Sequence, residues 1–260
     1  MSKNISSKII YETPLNERIR TLLRVEHLMN QFYFFKENED QWGVRCSIDT
    51  LLEILELFSR KNIKNELLKE LERQLRHLQS ISKVSEINND KLNSIIESHN
   101  THLEKINALE NKLKTHLRNH DLLNSIKLRE ALPGGQSNFD IPAYNSWLNN
   151  PRINQTGMIE EWFKPFIPVK EATNDILILI RESSDFENKE AESGYYEQKL
   201  TSDYVYQMIR IRLPNAKKVF PEISASRQKF FINFCSYEML EKKSKQIKDT
   251  IDFELSVGTF

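Results

Sequence analysis

Hydrophobic residues recur every three or four positions over most of the first 180 residues, and this spacing predicts amphipathic helices. The first stripe predicts a helix that starts at Thr13-Pro14 and ends near Phe32. A second predicts a helix that Ser47 caps, and a third predicts a helix that Asn62 opens. The stripes consist of Leu15, Ile19, Leu22, Leu23 and Met29, of Ile48, Leu51, Leu52, Leu55 and Phe58, and of Ile63, Leu67, Leu71, Leu75 and Leu78. Three helices with short connections predict a bundle.

A longer helical pattern begins at Asn89 and ends at the sequence Leu132-Pro133-Gly134-Gly135. Proline and glycine terminate helices, because the proline ring fixes φ and glycine tolerates positive φ. Further helices are predicted from Pro142 through Trp147 and from Pro168 onwards. Helix is therefore expected to dominate the first 182 residues.

The pattern changes beyond Ser183, where aromatic and β-branched residues alternate in part with polar ones. Strands are predicted at Tyr195–Leu200, Tyr204–Leu213, Gln228–Cys235 and Thr250–Val257. Short strands in succession suggest an antiparallel sheet. The predicted class is α+β: a mostly helical bundle domain over residues 13–182 and a smaller antiparallel β-strand domain over 183–260, which segment 8–12 is a candidate to join.

Composition narrows the possible partners and compartments. The 37 Lys and Arg residues balance the 37 Asp and Glu residues, so no global field draws the chain to nucleic acid or anionic lipid. Cys46 and Cys235 form no CxxC pair, which favours reduced, structural thiols. The segment from Met1 to Lys8 is polar, and the most apolar run, from Ile176 to Ile180, is too short for a membrane span. We expect a cytoplasmic protein without membrane insertion.

Histidines offer a candidate metal site, since four of the six lie in one helical stretch at spacings of three and four residues. They are His99, His102, His116 and His120. No Cys or carboxylate triad completes a tetrahedral set, so we expect solvated or interfacial imidazoles, with no metal and no other cofactor. The sequence also lacks a G-x-S-x-G turn and a phosphate-binding glycine pattern. We therefore predict no catalytic residues and no enzymatic activity.

A cluster of basic residues is the more informative feature. Within 20 residues stand Arg210, Arg212, Lys217, Lys218, Arg227 and Lys229, with Glu222 as the one acid. On adjacent strands the pairs Arg210–Arg212 and Arg227–Lys229 could meet in one basic patch, beside Phe230, Phe231, Ile232 and Phe234. Such a patch would dock an acidic peptide, while scattered charges on a solvent face would explain the same residues. Nucleic-acid binding is the alternative function, but neutral net charge and the lack of a reader motif argue against it.

Four segments carry a resemblance to a known family. The opening YETPLNERIRTLLRVE, from Tyr11 to Glu26, resembles the start of ZapD proteins. The segment ELLKELERQ from Glu66 to Gln74 and the block from Leu132 to Pro142 are similar to further family motifs. The final DFEL, from Asp252 to Leu255, is similar to the family's end. The resemblance is collinear over nearly the whole chain.

This resemblance implies a homodimer that recognises the carboxyl-terminal tail of FtsZ, a tubulin-like GTPase, through basic residues. Two patches per dimer would cross-link and bundle FtsZ filaments during Z-ring assembly at the mid-cell division site. The family's basic positions align with Arg60, Lys229 and position 233, and the last of these is Asn233 in this chain. We therefore expect Arg227 to supply the missing charge.

One further segment resembles the ligand itself. Asp140-Ile141-Pro142-Ala143-Tyr144 is similar to the Asp-Ile-Pro-Ala-Phe core of many FtsZ tails. An Asp helix cap and a Pro in the first helical turn explain the same residues without mimicry, and this is the interpretation that we favour.

Overall fold

Helices occupy the first two thirds of the chain, and most strands follow them. The computed structural model describes residues 8–38, 40–60, 62–82, 89–109, 120–130, 132–214, 219–236 and 245–260. The helices are α1 (Glu17–Glu37), α2 (Gln41–Arg60), α3 (Ile63–Ile81), α4 (Asn89–Ala108), α5 (Asp121–Glu130), α6 (Pro142–Leu148), α7 (Arg152–Phe163) and α8 (Ile167–Glu182), with a 3₁₀ turn at Lys164–Phe166. The strands are β1 (Lys8–Pro14), β2 (Glu187–Ala191), β3 (Tyr195–Lys199), β4 (Met208–Pro214), β5 (Val219–Ala225), β6 (Lys229–Ser236), β7 (Lys245–Gln246) and β8 (Ile251–Gly258). The predicted α+β class is confirmed.

The chain divides into two compact units. The described residues between 21 and 176 form a helical unit, while those from 8 to 20 and from 177 onwards form a β unit. The limits fall within α1 and α8, so each unit takes part of both helices. The domain boundary that the sequence suggests, between residues 182 and 183, stays a prediction.

The helical unit is packed around the predicted apolar stripes and a set of aromatic rings. Leu67 and Leu71 of α3 are fully buried. Phe32 stacks on Phe163 with ring centroids 4.1 Å apart, and Trp147 and Trp162 stack at 5.8 Å. These rings bring α1, α6 and α7 into one core, where aromatic burial contributes much of the stabilisation.

The β unit consists of two antiparallel sheets. Sheet I has the order β1-β4-β8-β2, and sheet II has the order β3-β6-β5 with β7 also paired to β6. The sheets share one core, in which Phe253 of sheet I lies 4.9 Å from Phe234 of sheet II between ring centroids. Successive strand residues alternate between this core and the outer face. The outer faces therefore carry the polar residues of the β unit.

Two predicted helix starts are wrong. Pro14 ends strand β1, opposite Met208, and α1 begins at Glu17 after Asn16, whose Oδ1 accepts a hydrogen bond from the Ile19 amide at 2.9 Å. Proline is tolerated there because β1 is an edge strand. Helix α2 begins at Gln41, so Ser47 does not cap it; the Ser47 hydroxyl is buried and donates to the Gly43 carbonyl at 2.8 Å. The predicted cap Asn62 is confirmed, since its side chain accepts from the Asn65 amide.

Several elements escaped sequence prediction. Helix α7 was missed because its buried apolar residues Ile159, Trp162 and Phe163 are confined to its second half. Strands β2 and β5 have no clean alternation: the first reads ENKEA, and the second contains Pro221. Both lie at sheet edges, where pairing needs no continuous apolar face.

Candidate functional site

The structure separates the basic residues that the sequence grouped. Arg210 and Arg212 lie on β4 in sheet I, Lys229 begins β6 in sheet II, and Arg227 precedes it in a turn. The expectation that these pairs meet on adjacent strands is wrong, because both strands turn their apolar residues to the shared core and their basic residues to opposite outer faces. The predicted residues Lys217 and Lys218 lie outside the described residues.

Internal carboxylates engage the two arginines of sheet I. Glu12 accepts hydrogen bonds from Arg181 at 2.7 and 2.8 Å and from Arg210 at 3.1 Å, and the Arg210 side chain is only 13% exposed. Arg212 donates to Glu254 at 2.7 Å. Burial alone would raise the pKa of Glu12, but the bonds and charges of the two arginines outweigh it and hold this pKa below its usual value. Arg210 is thus built into the β unit.

Sheet II presents a different outer face, which is accessible. Its strands β3 and β6 place Tyr195, Glu197 and Lys199 beside Asn233, Phe231 and Lys229 in antiparallel register. The Tyr195 and Phe231 rings stack with centroids 6.4 Å apart. Lys229 is half exposed, and its ammonium donates to Glu197 at 3.0 Å. We call this surface the Lys229 face.

Only one of the four apolar residues predicted beside the patch belongs to the Lys229 face. Phe231 is partly exposed there, whereas Phe230, Ile232 and Phe234 are fully buried in the core. Lys229 and position 233 share the face because they are four residues apart on one strand. Arg227 is exposed in the turn beside them. The aromatic pair and Glu197 were not predicted, although alternation along β3 would have placed Tyr195 and Glu197 together.

Arg60 belongs to the helical unit. It is the last residue of α2, and its side chain is 76% exposed and pairs with Glu56 one turn earlier. An exposed ion pair one turn apart on a helix contributes only about 0.3–0.5 kcal/mol to stability, so a ligand can break it at little cost and reach the Arg60 guanidinium. Its role in binding stays a prediction.

The three candidate metal-site histidines that the structure describes take structural positions. His99 of α4 is buried, with Nδ1 3.0 Å from the Ile95 carbonyl and Nε2 2.9 Å from Gln74 Oε1. His102 Nε2 lies 2.8 Å from the Asp175 carboxylate. His120 receives the Trp162 indole N–H at 3.2 Å, and His116 lies outside the described residues.

The described part of the chain offers neither a metal cluster nor a membrane-spanning helix. No three His, Cys, Asp or Glu side chains of the described ranges converge as metal ligands. Among the helices that the structure describes, none is both long and apolar enough to cross a bilayer.

The segment that resembles an FtsZ tail buries Ile141 and Tyr144 in the helical unit and exposes Pro142 and Ala143. Tyr144 is 1% exposed and lies under Arg45, whose guanidinium carbon is 5.0 Å from its ring centroid. Pro142 occupies the first turn of α6 as predicted. The predicted Asp cap is wrong, since Ile141 holds the cap position and Asp140 accepts from the Ser137 hydroxyl. A buried Tyr144 cannot compete for a surface site.

Comparison with known proteins identifies similar chains. The family profile described as "ZapD: Cell division protein" matches residues 23–233. The "Cell division protein ZapD" of Ralstonia pickettii (strain 12J) is 34% identical over 253 residues, covering 97% of this chain and 100% of the relative. The protein of the same name from Janthinobacterium sp. (strain Marseille) is 34% identical over 252 residues, with the same coverage. These relatives carry the name of a division protein and not of an enzyme.

Proposed function

Because the chain belongs to the ZapD family of cell division proteins, we propose that it binds the carboxyl-terminal tail of FtsZ and, as a homodimer, cross-links FtsZ filaments at the mid-cell division site. The observation that carries the proposal is the Lys229 face, where an accessible ammonium lies beside a stacked aromatic pair. This role needs no catalytic residue and no cofactor.

The chemistry of the Lys229 face suits an acidic peptide with apolar residues. Lys199, Lys229 and Arg227 supply positive charge, and the Tyr195–Phe231 pair supplies apolar area. Charged groups at such a rim set the encounter rate, and aromatic groups contribute most of the contact energy. Asn233 contributes only an amide, so Arg227 provides the charge that the family pattern has at that position.

The other predicted residues enter the proposal differently. Arg60 is proposed as a second basic contact, as the family pattern implies, and Lys217 and Lys218 remain proposed contacts. Arg210 and Arg212 are assigned a structural role, because Glu12 and Glu254 bond their guanidinium groups and their side chains are only 13% and 30% exposed, against 50% for Lys229. This assignment leaves a smaller basic surface, which favours a peptide over the phosphates of a nucleic acid.

Bridging follows from two sites in one dimer. A filament presents many tails, so a dimer held at one tail meets a second at a high effective concentration. Avidity then turns weak single sites into stable bundles. A moderate loss of affinity at each site therefore lowers the avidity of the dimer through both of its sites.

The test is co-sedimentation with FtsZ filaments together with anisotropy of a labelled peptide that contains Asp-Ile-Pro-Ala-Phe. Lys229→Glu should weaken peptide binding about tenfold, the scale of one charge-assisted contact, and should abolish bundling. Arg227→Glu and Arg60→Glu should act in the same direction. Wild-type affinity should fall as salt rises, because screening weakens exposed charges.

Lys164→Glu is the matched control, since Lys164 is 67% exposed and lies outside the Lys229 face. It should bundle filaments like wild type. If Lys229→Glu melts like wild type and still bundles filaments, the Lys229 face is not the binding site. Retention of duplex DNA at moderate salt would support nucleic-acid binding instead.

A further inference from the structure

Glu197 is an acidic residue at the centre of the surface proposed to bind an acidic tail. It lies on β3 between Tyr195 and Lys199, and the three side chains share the outer face of sheet II. Its Oε1 accepts a hydrogen bond from Lys229 Nζ at 3.0 Å, and its Oε2 accepts one from the Tyr195 hydroxyl at 2.7 Å. Both carboxylate oxygens are held by groups that an incoming carboxylate would use.

The surroundings of Glu197 resemble a complete carboxylate site. Lys229 of the neighbouring strand β6 provides a cation, and Tyr195, two residues before Glu197 on β3, provides a neutral donor. Phe231 stands directly opposite Glu197 in the register and stacks on Tyr195. The hydrogen bond from Tyr195 and then that from Lys229 lower the pKa of Glu197, so the side chain is charged at neutral pH. The Glu197 carboxylate therefore lies next to the apolar Tyr195–Phe231 pair. An acidic peptide residue followed by an apolar one would place the same two groups at this position.

We infer, on the premise of the proposed function, that Glu197 is an internal substitute for the carboxylate of an acidic peptide and is displaced when that peptide binds. Two carboxylates that compete for one ammonium and one hydroxyl repel each other, so Glu197 lowers the affinity of each site. Weak single sites suit a filament cross-linker, since avidity holds the bundle while each contact remains reversible. Glu197 also selects against neutral peptides, which cannot replace its charge on Lys229.

Glu197→Gln tests this inference, because glutamine keeps the shape and an acceptor oxygen for Tyr195 but removes the charge. The probe is the fluorescein-labelled Asp-Ile-Pro-Ala-Phe peptide, measured by anisotropy at low and high salt. The variant should bind it about two- to fivefold more tightly at low salt, the range that an exposed ion pair supports. The gain should shrink at high salt, because the competition is electrostatic.

Two controls separate a local effect from a change in total charge. Glu190→Gln removes one negative charge from an exposed position of β2 in sheet I and should leave affinity unchanged. In a Lys229→Ala background, Glu197→Gln should give no gain, since the competition acts through Lys229. Glu197→Thr, which suits an exposed strand position, should reproduce the gain if the glutamine variant melts early.

The outcomes distinguish the inference from its premise. If wild type binds the peptide and Lys229→Glu binds it about tenfold more weakly, the proposed function stands. Equal or weaker binding by both Glu197 variants would then overturn the inference, and weaker binding would assign Glu197 to positioning Lys229. If wild type fails to bind the peptide at low salt, the proposed function is refuted and the inference with it.

Discussion

Glu12→Gln should destabilise the β unit, although Glu12 lies far along the chain from its partners. The carboxylate of Glu12 on β1 bridges Arg181 of α8 and Arg210 of β4, with both oxygens bonded. Glutamine offers one acceptor oxygen and no charge. The variant leaves two arginines close together with no shared counterion.

The magnitude follows from the burial of these groups. The side chains of Glu12, Arg181 and Arg210 are 20%, 22% and 13% exposed, so solvent screens them only in part. Breaking a fully buried pair costs about 3–5 kcal/mol, and an exposed pair contributes about 0–1 kcal/mol. We therefore expect a loss of about 2–3 kcal/mol. For a chain of this size, that loss lowers Tm by about 4–12 °C.

The loss should depend on pH in a defined direction. The pKa of Glu12 is lower in the folded chain than its usual value of 4.5, so its contribution is fully present above that value. The contribution disappears as pH falls through the folded pKa, because wild type is then protonated and resembles glutamine. The difference in Tm should be constant from about pH 6 to 8 and should shrink below about pH 4.5.

Thermal melting followed by circular dichroism measures this difference. Glu161→Gln is the control, since Glu161 also pairs with a basic residue, Lys164, but is 70% exposed. It should change Tm by no more than about 2 °C. A Glu12→Gln variant that melts with the control, or an Arg210→Glu variant that folds stably and loses only peptide binding, would refute the structural role of this network.

Three further predictions concern other sites. Gly135→Ala should lower Tm, because the added Cβ would lie 2.3 Å from the Arg129 carbonyl oxygen. Gly157→Ala has open space around the new Cβ and should stabilise helix α7 by about 0.5–1 kcal/mol, so thermal melting of the two variants should show opposite shifts. His99→Phe should cost about 1–3 kcal/mol by urea unfolding, since Gln74 loses a buried partner, and unchanged stability would contradict this. Burial raises the pKa of the Cys235 thiol, so iodoacetamide at pH 8 should label it more slowly in native protein than in urea, and equal rates by mass spectrometry would count against it.

Much of the helical unit could be predicted from local patterns. Apolar stripes located α2 and α3, and the Asn62 cap was correct because capping depends on neighbouring residues only. The predicted caps Ser47 and Asp140 were wrong, because a polar side chain near a helix start has several possible hydrogen-bond partners and tertiary packing decides between them.

The candidate site depended on information that the sequence lacks. Local alternation showed that Lys229 and position 233 share one face, and the family resemblance singled out both. Neither observation could show that β4 and β6 belong to different sheets, because tertiary packing chooses strand partners that are far apart in the sequence.

The period of side chains along local segments is enough to assign the α+β class, most helices and strands β3, β4, β6 and β8. Which charges are available depends instead on the long-range pairing of the strands. The pairing of β1 with β4 brings Glu12 to Arg210 across 198 positions, and the Glu12 carboxylate then engages the Arg210 guanidinium inside the β unit. The pairing of β3 with β6 instead places Glu197 beside Lys229 on an accessible face. Charge is a property of a residue, but its freedom to bind depends on the neighbours that the fold supplies.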